Sequence, residues 1–261
     1  MNGATRVRGF TIEDVRREWD ALAPLRWEQI LSGADVTFNE VLLPAIESLI
    51  PPGSEEMIAL DVGCGIGAST KALAHHFKAI DAIDPSGVSI GLAKKLAGGV
   101  ARDIEECSVE KFASSTKRKY NVIVANMVLM DVPDLNTFLS AVKIMLRPGG
   151  CFIYTTTHPF FWPQYYGYAD ESWFQYLETA FVRAPFKISA DRTNQLQSTH
   201  VHRPLSAYFS ALKMARLRTD VLLEPTPTPA IEARYSQPWR FPRYLAVRCR
   251  KIKLVGSSAA R

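Results

Sequence analysis

The sequence predicts a doubly wound α/β fold, a mostly parallel sheet between two layers of helices. Three observations carry this. From Met57 onward short apolar runs alternate with helix-length segments; a glycine-rich turn, in "LDVGCGIG", follows the first run; and acids, Asp61 and Asp84, close the first two. Strands alternating with helices of this length need right-handed crossovers, which give parallel neighbours covered on both faces.

Taken in order, the first helix starts at Thr11, whose hydroxyl can cap while Asp14 answers three residues on, and it carries Trp19, Leu22 and Trp27 inward. "VTFNEVLLPAIESLI" forms a second helix that stops at "PPGS". "MIALDVG", "AIDAID", "IEECS" and "YNVIVANMV" read as four strands, with "ASTKALAHHF" and "SGVSIGLAKKLA" as the first crossover helices. The helix "LNTFLSAVKIML" and the turn "RPGG" lead to a fifth strand, "CFIYTTT"; the helix "PLSAYFSALKMARL" and the strands "TDVLLEP" and "RYLAVRCRK" complete a sheet of seven. Between those last two strands, "TPTPAIEARYSQPWRFP" is a proline-marked loop too long for a hairpin turn, and "GSSAAR" is a frayed end. From His158 to Val201 the chain is rich in rings and has no period. The division expected is therefore a helical lid over 1–52, an α/β core over 53–157, an inserted cap over 158–201, and a helix and strands over 202–255 that complete the core.

Composition narrows the class. A chain of 261 residues, 47% of them hydrophobic, can bury one sizeable core. No apolar run approaches the ~20 residues of a membrane span, and the basic N-terminus has no apolar signal core, so a cytoplasmic protein without membrane contact is expected. The four cysteines have neither CxxC nor histidine spacing, which argues against a zinc site or a disulfide framework. The net charge of +5 is spread out, apart from "RKYN" and "RCRKIK", as on a solvated face rather than a nucleic-acid footprint.

The glycine turn identifies its ligand by spacing. Gly63, Gly65 and Gly67 run GxGxG, whereas a dinucleotide fingerprint is GxGxxG. Asp61 at the mouth of the turn is unhelpful beside two phosphates but suits a cationic ammonium and sulfonium. Asp84, ending the next strand, can accept both hydroxyls of a ribose. Together they describe a nucleoside with an amino-acid tail.

"LDVGCGIG" with "IDPS", "YNVIVANMVLMDVPD" and "LRPGGCFIYTTTHPFF" resembles the class I S-adenosylmethionine-dependent methyltransferases of the small-molecule, type 11-like kind. The resemblance runs motif by motif from Phe38 to Pro159, and "HRPLSAYFSAL" with "LLEPTP" looks like the later part of bacterial members. It implies a Rossmann-like, seven-stranded core and S-adenosyl-L-methionine as cofactor, released as S-adenosyl-L-homocysteine. Asp61, Gly63, Cys64 and Gly65 would hold the methionine end, Asp84 and Pro85 the ribose, and Asn126 would border the methionine moiety through its backbone. The family's adenine acid is replaced here: the matching position is Ser108, followed by Val109.

Methyl transfer from a sulfonium is an in-line displacement on an activated carbon, so alignment supplies much of the acceleration. An oxygen or nitrogen acceptor can still want a base. His158, after the fifth strand, and His202, before the next helix, are the candidates; His200 reads as a helix-entry or surface residue, and His75 and His76 as structural. Phe161, Trp162, Tyr166 and Trp173 in the ring-rich segment are expected to line an acceptor pocket, with Trp19 and Trp27 closing it from the first helix. Arg26 and Arg203 could pair with a carboxylate. The expected activity is methylation of a small apolar, aromatic or conjugated acceptor, on oxygen before nitrogen or carbon, in secondary metabolism, by a monomer or homodimer. The rivals are a nicotinamide oxidoreductase, disfavoured by the glycine spacing; a nucleic-acid methyltransferase, disfavoured because "ANMV" stands where an (N/D)PPY tetrad would; and an S-adenosylmethionine-binding protein without methyl transfer, as a partner or regulatory subunit or a cyclisation enzyme.

Overall fold

The structure is a computed structural model that describes residues 3–188 and 195–252. "GSSAAR" lies outside the described residues, as does part of the ring-rich segment, 189–194. A short strand β1 (Thr5–Val7) precedes the helix α1 (Ile12–Leu31). The capping box at Thr11 is formed: its hydroxyl accepts from Asp14 N–H, and the Asp14 carboxylate accepts from Thr11 N–H at 2.9 Å. Such a box is worth about 1 kcal/mol. The second helical segment divides into a π-helical stretch, Phe38–Leu42, and α2 (Leu43–Leu49).

The core alternates as expected: β2 (Ile58–Val62), α3 (Ala68–Leu73), β3 (Ala79–Asp84), α4 (Gly87–Ala97), β4 (Asp103–Glu106), α5 (Val109–Ser115), β5 (Tyr120–Asn126), α6 (Leu135–Met145) and β6 (Leu146–Thr157). α5 joins the expected elements, capped by Ser108, and β6 begins earlier than "CFIYTTT" because Leu146 pairs with Tyr120, "RPGG" lying in the register break before pairing resumes between Cys151 and Val122. Between β6 and the helix α8 (Leu205–Met214) come a short helix α7 (Trp162–Tyr166) and the strands β7 (Ala180–Pro185) and β8 (Gln197–His202). β9 (Leu217–Leu223), a one-turn helix α9 (Pro229–Glu232) and β10 (Tyr244–Lys251) follow.

Seven strands form one sheet in the order β4-β3-β2-β5-β6-β10-β9, with β10 antiparallel to both of its neighbours and the others parallel. The order reverses between β2 and β5, and a crevice opens beyond the carboxyl ends of strands at such a switch point. Fully buried Leu60, Ile123, Leu139, Val142 and Phe152 pack one face, and Ile46, Leu73, Ile80, Val124 and Ile153 the other.

The ring-rich segment differs from the aperiodic insertion expected. β7 and β8 pair antiparallel, and β1 adds to β7, giving a second sheet in the order β1-β7-β8. The N-terminal segment and the insertion therefore share one small sheet, and α1 is tied to it. Glu18 accepts from Thr199 N–H at 2.6 Å, from the Thr199 hydroxyl at 2.8 Å and from Arg183 at 2.6 Å. At its other flank Asp20 accepts from the Ser86 hydroxyl at 2.7 Å and from Val88 N–H at 3.2 Å, which fixes α1 to the start of α4. No helix among the described residues is long and apolar enough to cross a membrane.

Candidate active site

β2 delivers Asp61 and then turns through Gly63, Cys64 and Gly65, whose backbone lies against the end of β3. Gly63 N–H and Cys64 N–H both donate to Ile83 O, at 2.8 and 3.1 Å. Gly63 has φ +68°, and a Cβ there would sit 2.5 Å from Val128 Cγ2, so both backbone and space demand glycine. Gly67, at φ +84°, lets α3 approach α4, since its Cβ would lie 3.1 Å from Ala93 Cα.

Asp84 links this turn to the next strand. Its Oδ2 accepts from Gly65 N–H at 2.9 Å and its Oδ1 from Ser86 N–H at 2.8 Å. It is buried, at 7% exposure, yet lines the cavity beyond the sheet. Burial pushes its carboxyl up to about 6, against the pull of the two amides. Two donors leave lone pairs on both oxygens for a diol.

Asp61 sits behind the turn rather than in the cavity wall. It is fully buried; Oδ2 accepts from the Thr70 hydroxyl at 2.7 Å, while Oδ1 has no partner among the described residues. Burial raises its carboxyl to about 7. An orphaned carboxylate oxygen under a bare glycine backbone suits a cationic ligand.

Asn126 closes β5 in a small network. Thr155 Oγ1 donates to its Oδ1 at 2.6 Å, its Nδ2 donates to Ser69 Oγ at 3.2 Å, and Met127 follows with φ +56°. Ser108 caps α5 by accepting from Lys111 N–H at 3.4 Å and lines the cavity beside Val109 and Glu110. Glu110 restores an acid two residues beyond the position where the motif lacks one.

One cavity of about 590 Å³ joins these groups to the ring-rich segment. Gly63, Cys64, Gly65, Asp84, Pro85, Ser108, Val109 and Asn126 line it, and so do Trp19, Trp162 and Tyr166. Trp162 packs against Tyr165, Tyr166 and Tyr244 at ring separations of 5.0, 4.9 and 5.9 Å. Arg26 also reaches the wall, but it is engaged by Asp35 and Gln29, each at 2.7 Å.

Other expected residues stand elsewhere. Trp27, Phe161 and Trp173 do not line this cavity: Phe161 stacks on Phe241 at 4.8 Å, and Trp173 on the buried Tyr168 at 5.6 Å. His158, just past the end of β6, is held by its own neighbours: Nε2 meets Glu224 at 3.0 Å and Nδ1 accepts from Phe160 N–H at 3.3 Å. The His202 ring meets the Tyr176 carbonyl at 2.9 Å. Neither histidine borders the cavity, because the local packing of each occupies its ring. Arg203 is buried and donates to the carbonyls of Leu129, Val132 and Pro133, so it braces the loop after β5.

The histidine that does border the cavity is His200. Its place before a helix reads as a surface or helix-entry position, yet it is 6% exposed, and burial pushes it down to about 3. The overlooked signal is period two in "QSTHVH": His200 falls on the opposite face of β8 from Thr199 and Val201, which pack towards α1. Asp131 is a second group that sequence reasoning missed. It lines the cavity, accepts from Trp19 Nε1–H at 3.2 Å, and is held well above the usual carboxylate range by burial.

Residues 37–217 match the family described as "Methyltransferase domain". The chain belongs to this methyltransferase-domain family. Among curated relatives, a ubiquinone biosynthesis O-methyltransferase of Ralstonia nicotianae is 30% identical over 122 residues, 46% of this chain and 50% of that protein. The chain spans about half the length of the curated relatives it matches. The fold is shared with an S-adenosylmethionine-dependent methyltransferase from Mesorhizobium loti, at TM-score 0.59 and 21% identity over 79% of this chain and 96% of that one. It is shared also with the 1,6-didemethyltoxoflavin-N1-methyltransferase of Burkholderia thailandensis, solved with its acceptor and S-adenosylhomocysteine, at TM-score 0.57 and 18% identity over 96% and 95% of the two chains. In this family member the glycine turn, Asp84 and Asn126 converge at the switch point of the sheet.

Proposed function

We propose that this methyltransferase-domain protein transfers a methyl group from S-adenosylmethionine to a small, largely apolar aromatic or conjugated acceptor, with oxygen as the atom methylated. One observation carries the reading: a single cavity runs from the glycine turn and Asp84 to a wall of Trp19, Trp162 and Tyr166. A concave, ring-lined space of this size suits a flat small molecule beside a nucleoside better than a polymer. The curated relatives, named as O-methyltransferases, favour oxygen.

S-adenosylmethionine supplies an activated methyl carbon on a sulfonium. Asp84 would accept the two ribose hydroxyls and the Gly63–Gly65 backbone would receive the methionine end, with the buried Asp61 carboxyl acting from behind that turn. Asn126 borders the methionine moiety, while Ser108, Val109 and Glu110 flank the adenine. The rings of Trp162 and Tyr166, with Trp19 from α1, hold the acceptor plane and exclude water. The bound cofactor would supply the methyl carbon and leave as S-adenosylhomocysteine, and the acceptor would enter as its oxyanion, its hydroxyl proton already given up to solvent water. The chain's contribution is alignment in a dry site. A conjugated ring acceptor of this kind fits secondary metabolism.

Calorimetric titration with S-adenosylmethionine, S-adenosylhomocysteine and NADPH tests the reading. Micromolar binding of the adenosyl ligands without response to the dinucleotide supports it, and an acceptor screen scored by the mass of one added methyl follows. Binding of the dinucleotide alone overturns it.

A further inference from the structure

His200 has one ring nitrogen committed. Nε2 lies 3.0 Å from the Tyr168 hydroxyl, and Tyr168 is fully buried, with no other hydrogen-bond partner for that hydroxyl among the described residues. A buried O–H without an acceptor costs the full desolvation of the group. If Nε2 carried the proton, it would donate to the Tyr168 oxygen and leave the phenolic O–H unsatisfied. If Nε2 is bare, it accepts that O–H, both partners are satisfied, and the ring proton moves to Nδ1. The ring is neutral at physiological pH, because burial and the neighbouring His202 disfavour its charged form. Nδ1 has no protein partner among the described residues, and His200 borders the cavity beside Trp162 and Tyr166, at ring separations of 6.4 and 5.3 Å.

We infer that Tyr168 locks His200 as its Nδ1–H tautomer, and that this N–H is a hydrogen-bond donor in the acceptor end of the cavity. It reads a carbonyl oxygen, or another unprotonated acceptor atom, on a conjugated ring. His200 is then a recognition residue and not a base, since neither nitrogen keeps a free lone pair. The inference rests on the methyltransferase reading of the same cavity and narrows it: the acceptor bears both the group that is methylated and a separate hydrogen-bond-accepting atom, as in a hydroxylated ring carbonyl.

Tautomers are read directly by long-range proton–nitrogen correlation NMR on protein labelled with 15N-histidine, with the His200 signals assigned by their loss in His200→Gln. A protonated Nδ1 beside a bare Nε2 is expected, and a protonated Nε2 overturns the proposal. Tyr168→Phe removes the lock, so the His200 signals should move towards the Nε2–H form; an unchanged pattern in that variant also overturns it. For recognition, 7-hydroxychromone and 2-naphthol, ring alcohols with and without a carbonyl, are titrated in the presence of S-adenosylhomocysteine. Wild type should prefer the chromone by about fivefold to tenfold, the worth of one neutral hydrogen bond, with the preference lost in His200→Phe and partly kept in His200→Asn, whose amide can stand near Nδ1. An equal preference in wild type and His200→Phe refutes the donor role. Titration of wild type with S-adenosylhomocysteine alone reports separately on the methyltransferase reading.

Discussion

Asp84 is the residue on which the cofactor assignment can be tested most sharply. Its carboxylate is buried and already accepts two backbone amides, from Gly65 and Ser86, at 2.9 and 2.8 Å. A ribose diol would add two charge-assisted hydrogen bonds, each worth about 1.5–3 kcal/mol when its partner is removed. Some of that is returned, because burial already disfavours the charged form. Asp84→Ala should therefore weaken S-adenosylhomocysteine by at least about 1.5 kcal/mol, roughly tenfold or more. The substitution also frees Gly65 N–H, so loss of affinity alone could come from a loosened turn. A cycle with the 2′-deoxy analogue separates the two effects. In wild type, removing the 2′-hydroxyl should cost about 1.5 kcal/mol, the worth of one bond to a charged group, and in Asp84→Ala it should cost almost nothing. Calorimetry on the four combinations measures the coupling. An equal cost in both proteins would refute the ribose role, whatever the absolute affinities.

Three further outcomes follow from the same geometry. Burial pushes the Asp84 carboxyl up to about 6, above the ordinary range, and only its ionised form accepts both hydroxyls. Affinity for 5′-methylthioadenosine, which lacks the tail near Asp61, should hold above pH 7 and fall towards tenfold per unit below 6; a flat profile from pH 8 to 5 would contradict this. Gly63→Ala should lower the melting temperature and abolish measurable cofactor binding, because φ +68° and the 2.5 Å approach to Val128 both oppose a methyl. Val128→Ala should restore part of the stability, and no rescue would argue against the steric cause. His158→Ala should leave turnover within about twofold but cost about 1–2 kcal/mol of stability, through the lost partners of Glu224 and Phe160 N–H; a hundredfold loss of turnover would return His158 to the chemistry.

The α/β core was legible because each of its elements carries a local signal. The apolar runs of β2, β3 and β5 are buried on both faces, as central parallel strands must be, and the glycines and acids stand at fixed offsets from their ends. The cofactor half of the candidate site inherited that clarity. The acceptor half did not, since its order comes from pairing distant in sequence. β1 meets β7 across more than 170 residues, with Arg6 opposite Val182, and neither strand is persuasive alone. Without β8 as a strand there was no phase to set His200 on the face opposite Thr199 and Val201, and proximity to β6 pointed to His158 instead. Asp131 was hidden for a related reason: an acid in a loop becomes a cavity residue only when Trp19, 112 positions away, is brought against it.

Glu18, Trp19 and Asp20 show how one helix joins the two halves. Consecutive helical residues point about 100° apart, so three in a row can address three partners. Here Glu18 takes Thr199 and Arg183 of the small sheet, Trp19 takes Asp131 in the cavity wall, and Asp20 takes Ser86 at the start of α4. Of these, the Glu18 contact has the clearest energetic consequence. Thr199 is 2% exposed, and Glu18→Ala leaves its N–H buried without an acceptor. That should cost about 1–3 kcal/mol of stability. Because α1 and β8 both line the cavity, the same variant should weaken ring ligands while S-adenosylhomocysteine, whose contacts come from the segments that follow β2, β3, β4 and β5, is affected less. Thermal unfolding together with paired titrations of 2-naphthol and S-adenosylhomocysteine measures both effects. Equal weakening of the two ligands would mean that the acceptor end is not built by the α1–β8 contact, and that the small sheet only packs beside it.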